Sequence, residues 1–277
     1  MKKRIMMLVL LLAALCLAVS SAEDATERKL VVDTAHTSDG YIVVQGPDTD
    51  RELSVVVEKD GREVRYPLGS DPEILPLQLG DGEYTVTLYE VVREPDAASE
   101  FESTGEIQDY LRMDQAVIEA ELESSYSCYL HPNLYVDYDA DSPWALKAGE
   151  LAEGETDPLL RYEYVTNYIV KNYQFDFIKE VTTAGPNKLP DVAYCWENKR
   201  GIAGDLSALT CAMLRSLGIP AVLVSGTIGQ GTPHFWVIAV VNDDYIIFDP
   251  TARLNASNKT ELLYSILFSG TGGTMTY

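Results

Sequence analysis

The sequence predicts two successive architectures, a β-sandwich of roughly immunoglobulin type followed by an α+β domain. Between residues 29 and 122, short segments rich in β-branched and aromatic residues are separated by turn signals. From residue 143 the apolar residues take helical spacing, and three further strand-like segments follow. Helices followed by an antiparallel sheet are typical of the α+β class. The length of 277 residues suits about two domains, which we place at residues 23–125 and 126–260, with a tail at residues 261–277.

The first 22 residues are predicted to be a signal peptide. A basic segment, Lys2–Arg4, precedes an uncharged apolar run over residues 5–19, and Ser20 and Ala22 supply the small residues of a cleavage site. An uncleaved anchor is the alternative, but this run of 15 residues is shorter than the roughly 20 that a spanning helix needs. We therefore expect a secreted or cell-surface protein with no membrane span after signal cleavage.

The charge balance excludes two classes of partner. The chain carries 21 Lys and Arg residues against 43 Asp and Glu residues, a formal net charge of −22. Such a surface repels phosphate groups at long range, so we expect no binding to nucleic acid and no attraction to anionic lipid.

Five segments of the first domain are predicted strands because they are short and rich in residues that favour sheets. They are Tyr41–Val44, Leu53–Val57, Glu63–Tyr66, Glu83–Tyr89 and Ala116–Leu122. The dipeptides Asp60-Gly61 and Asp81-Gly82 are predicted hairpin turns. The acidic stretch over residues 93–108 is predicted to be a solvated loop. Nothing polar in this domain suggests catalysis, so we interpret it as a spacer or adhesion-like module.

The second domain is predicted to contain three helices and three strands. In the second helix Asp157 opens the first turn, and Leu160, Tyr164, Ile169 and Val170 are predicted to form an apolar stripe. The third helix ends at Gly218, with Pro220 beyond. The predicted helices are residues 143–154, 157–173 and 203–217, and the predicted strands are residues 221–225, 235–241 and 245–248, with a turn at residues 242–244.

Three motifs in this domain occur in a fixed order: RGIAGDLSALTCAMLRSLGIP at residues 200–220, PHFW at residues 233–236 and FDPT at residues 248–251. Together they resemble the transglutaminase-like superfamily, in its bacterial and often exported branch. That family carries a Gly-x-Cys-x-Asp motif, then Arg-x-x-Gly-Ile-Pro, a His-x-Trp and an Asp-Pro-Thr. The residues that fit are Gly201, Asp205, Arg215, Gly218, Ile219, Pro220, His234, Trp236, Asp249, Pro250 and Thr251.

The resemblance covers roughly Leu130 to Leu254 and implies a papain-like core of helices packed on an antiparallel sheet. It also implies that His234 is a general base and that Asp249 orients its ring. Trp236 and Asp205 are expected to line a binding cleft.

One position departs from the family pattern, because Ala203 stands where the family has its nucleophilic cysteine. In the family a helix N-terminus and an imidazole stabilise the thiolate of that cysteine. A methyl group has no lone pair to offer an acyl carbon. Covalent acyl transfer by the family route is therefore impossible at this position.

Three cysteines and one serine are candidates for a replacement nucleophile. Cys195 lies eight residues upstream in a segment predicted to be non-helical, close enough along the chain to reach the site. Its other interpretation, which we favour, is a structural or bridged thiol. Cys211 is expected to be a buried apolar side chain, Ser207 a hydrogen-bonded core hydroxyl, and Cys128 gives no indication either way.

The remaining chemistry is sparse. His36 and His131 are isolated and expected in loops or on the surface, and no His or Cys spacing suits a metal, so we expect no metal and no cofactor.

Two hypotheses of function remain. The first is a catalytically inactive binding or scaffolding module for a peptide, protein or cell-wall ligand. The alternative is an active thiol peptidase or transamidase that uses Cys195 with His234 and Asp249, which requires Cys195 to be partly exposed and close to His234.

Overall fold

A computed structural model of the chain describes residues 30–93, 107–182, 189–228, 232–255 and 275–276. The chain divides into two compact units. The first comprises Met1–Thr37, Ile42–Glu73 and Leu79–Glu121, and the second comprises Ser38–Tyr41, Ile74–Gln78 and Leu122–Tyr277. The predicted signal peptide and almost all of the predicted tail lie outside the described residues.

The first unit is built of antiparallel strands, as predicted. Its main sheet has the order β4-β3-β6-β7, and β1 pairs separately with β2. Residues that alternate along the central strands, such as Val55, Val57, Val86 and Leu88, are fully buried. The strand bounds are β1 Val31–Asp33, β2 Tyr41–Gln45, β3 Leu53–Lys59, β4 Arg62–Leu68, β6 Gly82–Arg93 and β7 Ile107–Ala120. Strand β5, Glu73–Pro76, has all but its first residue in the second unit.

One of the two predicted hairpin turns is confirmed. Asp60 and Gly61 connect β3 to β4 and have φ values of 54° and 73°, as a two-residue hairpin turn requires. The prediction for Asp81-Gly82 was wrong, because β5 and β6 belong to different sheets. In the predicted acidic loop, β6 ends at Arg93 and β7 begins at Ile107; residues 94–106 lie outside the described part of the chain.

The second unit combines helices with an antiparallel sheet of order β12-β11-β10-β13, together with a short parallel pair, β8 and β9. The α+β class is therefore confirmed. The helices are α1 Pro143–Leu151, α2 Pro158–Asn172, α3 Phe177–Thr182, α4 Val192–Asn198, α5 Ala203–Ser216 and α6 Pro250–Asn255. The strands are β8 Gln174–Phe175, β9 Arg200–Gly201, β10 Ala221–Ile228, β11 Thr232–Val241, β12 Asp244–Phe248 and β13 Met275–Thr276.

Helix α2 forms as predicted and the predicted burial of Ile169 is confirmed, but the rest of its buried face differs from the prediction. Asp157 caps it by accepting a hydrogen bond from the backbone N–H of Leu159. Its buried stripe is Tyr162, Val165, Thr166 and Ile169. Leu160 and Tyr164 are exposed, so their predicted burial was wrong. The two sets follow the same helical spacing, and only packing decides which of them faces the core.

Helix α5 is the central element of the unit, and its residues 204–215 are all buried. Its end confirms the predicted termination: the N–H of Gly218 bonds to the carbonyl of Arg215, and the N–H of Ile219 bonds to that of Leu214. The Arg215 guanidinium donates to the carbonyl oxygens of Ala221 and His131 at 2.8 and 2.6 Å. This arginine therefore ties the end of α5 to the strand and to the segment that precedes the helices.

Three short helices were not predicted, namely α3, α4 and α6. Each begins directly after an aspartate whose carboxylate accepts a backbone N–H from the first turn: Asp176, Asp191 and Asp249. The prediction that Cys195 lies in a non-helical segment was wrong, because Cys195 is inside α4. Within the described residues, no helix combines the length and the apolar character needed to cross a membrane.

Candidate functional site

The structure brings His234 and Asp249 together at one end of the sheet. Strand β11 carries His234, and the antiparallel register that pairs Val237 with Phe248 brings Asp249 to the strand end near it. Nε2 of His234 lies 2.8 Å from Oδ2 of Asp249. Only 8% of His234 and 1% of Asp249 are exposed, so this hydrogen bond is shielded from water. Among the described residues, no hydrogen-bond partner lies at Nδ1 of His234.

Asp249 has a second role that fixes its orientation. Its other oxygen, Oδ1, accepts a hydrogen bond of 2.9 Å from the backbone N–H of Ala252. Asp249 is thus the N-cap of α6, and Pro250 occupies the first helical position, where a missing N–H costs nothing. The carboxylate is held by the helix and presents one oxygen to the imidazole.

The first turn of α5 packs beside the start of β11. Ala203 is the first residue of this helix and is half-buried. A Cβ atom at Gly204 would lie 3.5 Å from the ring of Phe235, and Ser207 Oγ donates to the carbonyl oxygen of Phe235 at 3.2 Å. Phe235 directly follows His234 in β11, so the first turn of α5 packs against the strand segment that carries His234. Ser207 is fully buried and hydrogen-bonded, as expected.

Asp205 stands in the same turn of α5 but does not join the His234–Asp249 pair. One of its oxygens accepts from the N–H of Asp191 at 2.8 Å. The other accepts from the N–H of Ile202 at 3.1 Å and from Nζ of Lys179 at 2.7 Å. With only 1% exposure, this carboxylate is occupied by three donors. Its expected place in a binding cleft stays a prediction.

Trp236 lies on the same face of β11 as His234, and the two rings are stacked with their centroids 6.4 Å apart. It is 3% exposed and packs with Val222 and Val224. The indole therefore lies beside the imidazole on this face of the strand, and its expected role in ligand binding stays a prediction.

Cys195 does not meet the requirements of the alternative nucleophile. It is fully buried, not partly exposed. Its sulfur lies against Gly201 and near Asp205, since a Cβ at Gly201 would come within 2.9 Å of Sγ. Burial, followed by the charge of Asp205, raises the pKa of this thiol. Such a thiol is poorly ionised at neutral pH.

Cys128 and Cys211 are also unbridged and buried. Burial raises the pKa of Cys128 to about 11 and that of Cys211 to about 12. The interpretation of Cys211 as a buried apolar side chain agrees with its full burial. His131, expected in a loop or on the surface, is half-buried and packs its ring against Tyr41 with centroids 4.7 Å apart.

Sequence analysis missed a network of charged and phenolic side chains beneath the first turn of α5. Asp176 is buried, accepts from the N–H of Lys179 and from the hydroxyl of Tyr194, and lies 3.0 Å from Nε of Arg200. These hydrogen bonds lower the pKa of Asp176 below its ordinary value, and the bond from the N–H of Lys179 has the largest effect. The only signal in the sequence was the capping position of Asp176. In the described part of the chain, no group of three or more His, Cys, Asp or Glu side chains is placed to hold a metal ion.

Comparison with known proteins finds a family model that matches part of the second unit. Residues 146–250 match the model of the transglutaminase-like superfamily, and this range includes α5, His234 and Asp249. The match covers less than half of the chain, so the assignment applies to this segment. The matched segment lies in the second unit, and the predicted papain-like core is confirmed. No curated protein matches the chain.

Several solved structures are similar at low identity. A candidate cysteine protease from Cytophaga hutchinsonii is 16% identical, with a TM-score of 0.42 over 83% of this chain and 78% of that one. The periplasmic domain of TgpA from Pseudomonas aeruginosa is 14% identical, with a TM-score of 0.37 over 82% of this chain and 94% of that one. Red sea bream transglutaminase is 15% identical, with a TM-score of 0.31 over 78% of this chain and 48% of that one.

Proposed function

We propose that this chain is an exported transglutaminase-like protein that binds peptide or cell-wall material without cleaving or cross-linking it. The observation that carries the proposal is Ala203 at the first position of α5, in the same domain as the hydrogen-bonded His234–Asp249 pair. A base without an adjacent thiol cannot form the acyl-enzyme intermediate of covalent catalysis. Loss of the nucleophile alone costs about as much as loss of a whole triad, on the order of 10⁶ in kcat.

The hydrogen bonds around the first turn of α5 and around His234 support the proposal of a site that is ordered before a ligand binds. The helix N-terminus is fixed by the three donors on Asp205, and the imidazole is fixed by Asp249 and Trp236. Because these supports are intact, a ligand would meet ordered surroundings at low cost in conformational entropy. Export rests on the basic and apolar segments at residues 2–19 and remains part of the proposal.

The alternative, a thiol enzyme that uses Cys195, has less support. A catalytic thiol needs access to substrate and a pKa near or below neutrality. Cys195 has no exposed surface, and burial raises its pKa. No structural feature in the described residues favours this thiol over the inactive-site proposal.

The proposal is tested by measuring binding and turnover in the same sample. Purified peptidoglycan is incubated with the chain lacking residues 1–22, bound protein is measured by co-sedimentation, and released fragments are measured by mass spectrometry. We expect retention without release. Ala203→Phe should abolish retention by filling the site, whereas Ala193→Phe, at an exposed position on α4, should not. Release of fragments by the unmodified protein, or retention that survives Ala203→Phe, would contradict the proposal.

A further inference from the structure

A buried negative charge lies two residues from Ala203, within the first turn of α5. Asp205 is 1% exposed and occupies the third position of the helix. An uncompensated carboxylate there would cancel the positive end of the helix dipole, which is the feature of a helix N-terminus that favours electron-rich groups. It would also carry a large desolvation cost.

Lys179 supplies the compensating charge from a different helix. Its Nζ lies 2.7 Å from Oδ2 of Asp205, and its side chain is only 11% exposed. The same ammonium group lies 4.2 Å above the centre of the Tyr194 ring, a cation–π contact that limits where it can move. Lys179 therefore reaches the first turn of α5 in one defined position.

The backbone that carries Lys179 is also fixed by hydrogen bonds. Asp176 caps α3 by accepting the N–H of Lys179 at 2.9 Å, and its own N–H donates to the carbonyl oxygen of Gly201 at 3.0 Å. The hydroxyl of Tyr194 bonds to the second oxygen of Asp176 at 2.8 Å. The rest of α3 makes little use of the core, since Phe177 and Ile178 are 67% and 69% exposed. The helix is thus attached through its polar groups, not through apolar packing.

We propose that Lys179 is a positioning residue of the site, which both fixes the first turn of α5 and neutralises Asp205 so that the helix N-terminus keeps its positive potential. This inference rests on the proposed function in one respect, namely that the position of Ala203 is where the site meets its ligand. It assigns a task to a residue 24 positions before Ala203 that no motif contains.

The potential at this position can be read with a thiol introduced by Ala203→Cys. The rate of alkylation by iodoacetamide at neutral pH follows the thiolate fraction, which the local potential sets. In that background Lys179→Met leaves a negative charge and should slow alkylation by at least about two-fold. Asp205→Asn leaves a positive charge and should accelerate it by a similar factor. The double change restores neutrality and should return the rate close to its starting value.

If Lys179 and Asp205 had only a structural role, both substitutions would disturb the helix and would change the alkylation rate in the same direction. Opposite changes that cancel in the double variant therefore indicate an effect of charge. Lys179→Arg should preserve the rate, since a guanidinium can also pair with Asp205. Lys147→Met is the matched control, because Lys147 forms an exposed ion pair with Glu150 on α1. Thermal unfolding of each variant identifies any that fail to fold, and Lys179→Arg and the double variant then carry the comparison.

The outcomes separate this inference from the proposed function. The thiol of Ala203→Cys without further changes is the reference thiol. If it reacts fast and Lys179→Met leaves its rate unchanged, the role of Lys179 alone is overturned. The same holds if Lys179→Met and Asp205→Asn change the rate in the same direction. A reference thiol as slow as the buried native thiols would overturn both the role of Lys179 and the placement of the site at Ala203. Peptidoglycan retention is measured without these thiols, so its failure would contradict the proposed function and leave the role of Lys179 standing.

Discussion

The Asp249 carboxylate joins His234 to helix α6: one oxygen lies 2.8 Å from Nε2 of His234, and the other caps the helix through the N–H of Ala252. Asp249 therefore contributes to the stability of α6 whether or not the pair takes part in catalysis. The geometry of the pair is therefore consistent with a binding site and is not by itself evidence of an enzyme.

Substitution of Asp249 should separate its two roles. Asparagine is a good N-cap, so Asp249→Asn should keep α6 capped and should lower the free energy of unfolding only slightly. Asp249→Ala loses the cap and leaves a buried imidazole nitrogen without its partner, which should cost about 1–3 kcal/mol. Urea unfolding followed by circular dichroism measures both values. Equal losses in the two variants would show that the cap contributes nothing.

Gly40 is expected to be intolerant of any side chain. Its φ is +89°, and a Cβ at this position would overlap the backbone nitrogen of Cys128. Gly40→Ala should therefore lower the free energy of unfolding by at least about 2 kcal/mol, through strain and forced displacement of the backbone. Gly154→Ala is the matched control, because Gly154 also has a positive φ of 75° but faces open space. A loss in Gly40→Ala no larger than in the control would contradict the described contact.

The three thiols in the described part of the chain should all be alkylated slowly in the native state. Cys128, Cys195 and Cys211 are buried, and burial raises the pKa of each. Peptide mass spectrometry after timed iodoacetamide exposure at neutral pH gives the three rates, and urea should accelerate all of them by removing the burial. Rapid and selective labelling of Cys195 that disappears in His234→Ala would instead support the thiol-enzyme alternative.

Acid should weaken the second unit partly through Asp176. The folded state lowers the pKa of this carboxyl, so its stabilising contribution is present above the unfolded value of about 3.9 and is lost as the pH falls through the lower folded value. Asp176→Asn removes that titration, so its stability should change less between pH 5 and pH 3 than that of the unmodified protein. Urea midpoints at several pH values test this. Parallel pH profiles for the two proteins would show that Asp176 is not responsible.

Local chemistry made much of the second unit predictable. Gly218 and Pro220 mark the end of α5. The strands between Ala221 and Phe248 are rich in β-branched and aromatic residues, which favour sheets. His234 and Asp249 were identified from the resemblance of short motifs to a known family. The structure then showed that they are hydrogen-bonded, which spacing alone does not establish.

The features that were missed depend on packing between distant segments. Lys179 and Asp205 are 26 residues apart, and the sequence around neither residue predicts that they form an ion pair. Leu160 and Tyr164 have helical spacing equal to that of the buried residues of α2, so only the tertiary structure selects the buried face. The helix that contains Cys195 has seven residues, too few for an apolar period to be recognised.

The most direct test of the account is the reactivity of the thiol created by Ala203→Cys, with and without His234. A thiol at the N-terminus of α5 beside the imidazole should be largely ionised at neutral pH, and its alkylation should be on the order of 10-fold or more faster than that of the native thiols. Adding His234→Ala should abolish most of this advantage. Slow alkylation, or fast alkylation that does not depend on His234, would show that Ala203 does not occupy the position of a nucleophile.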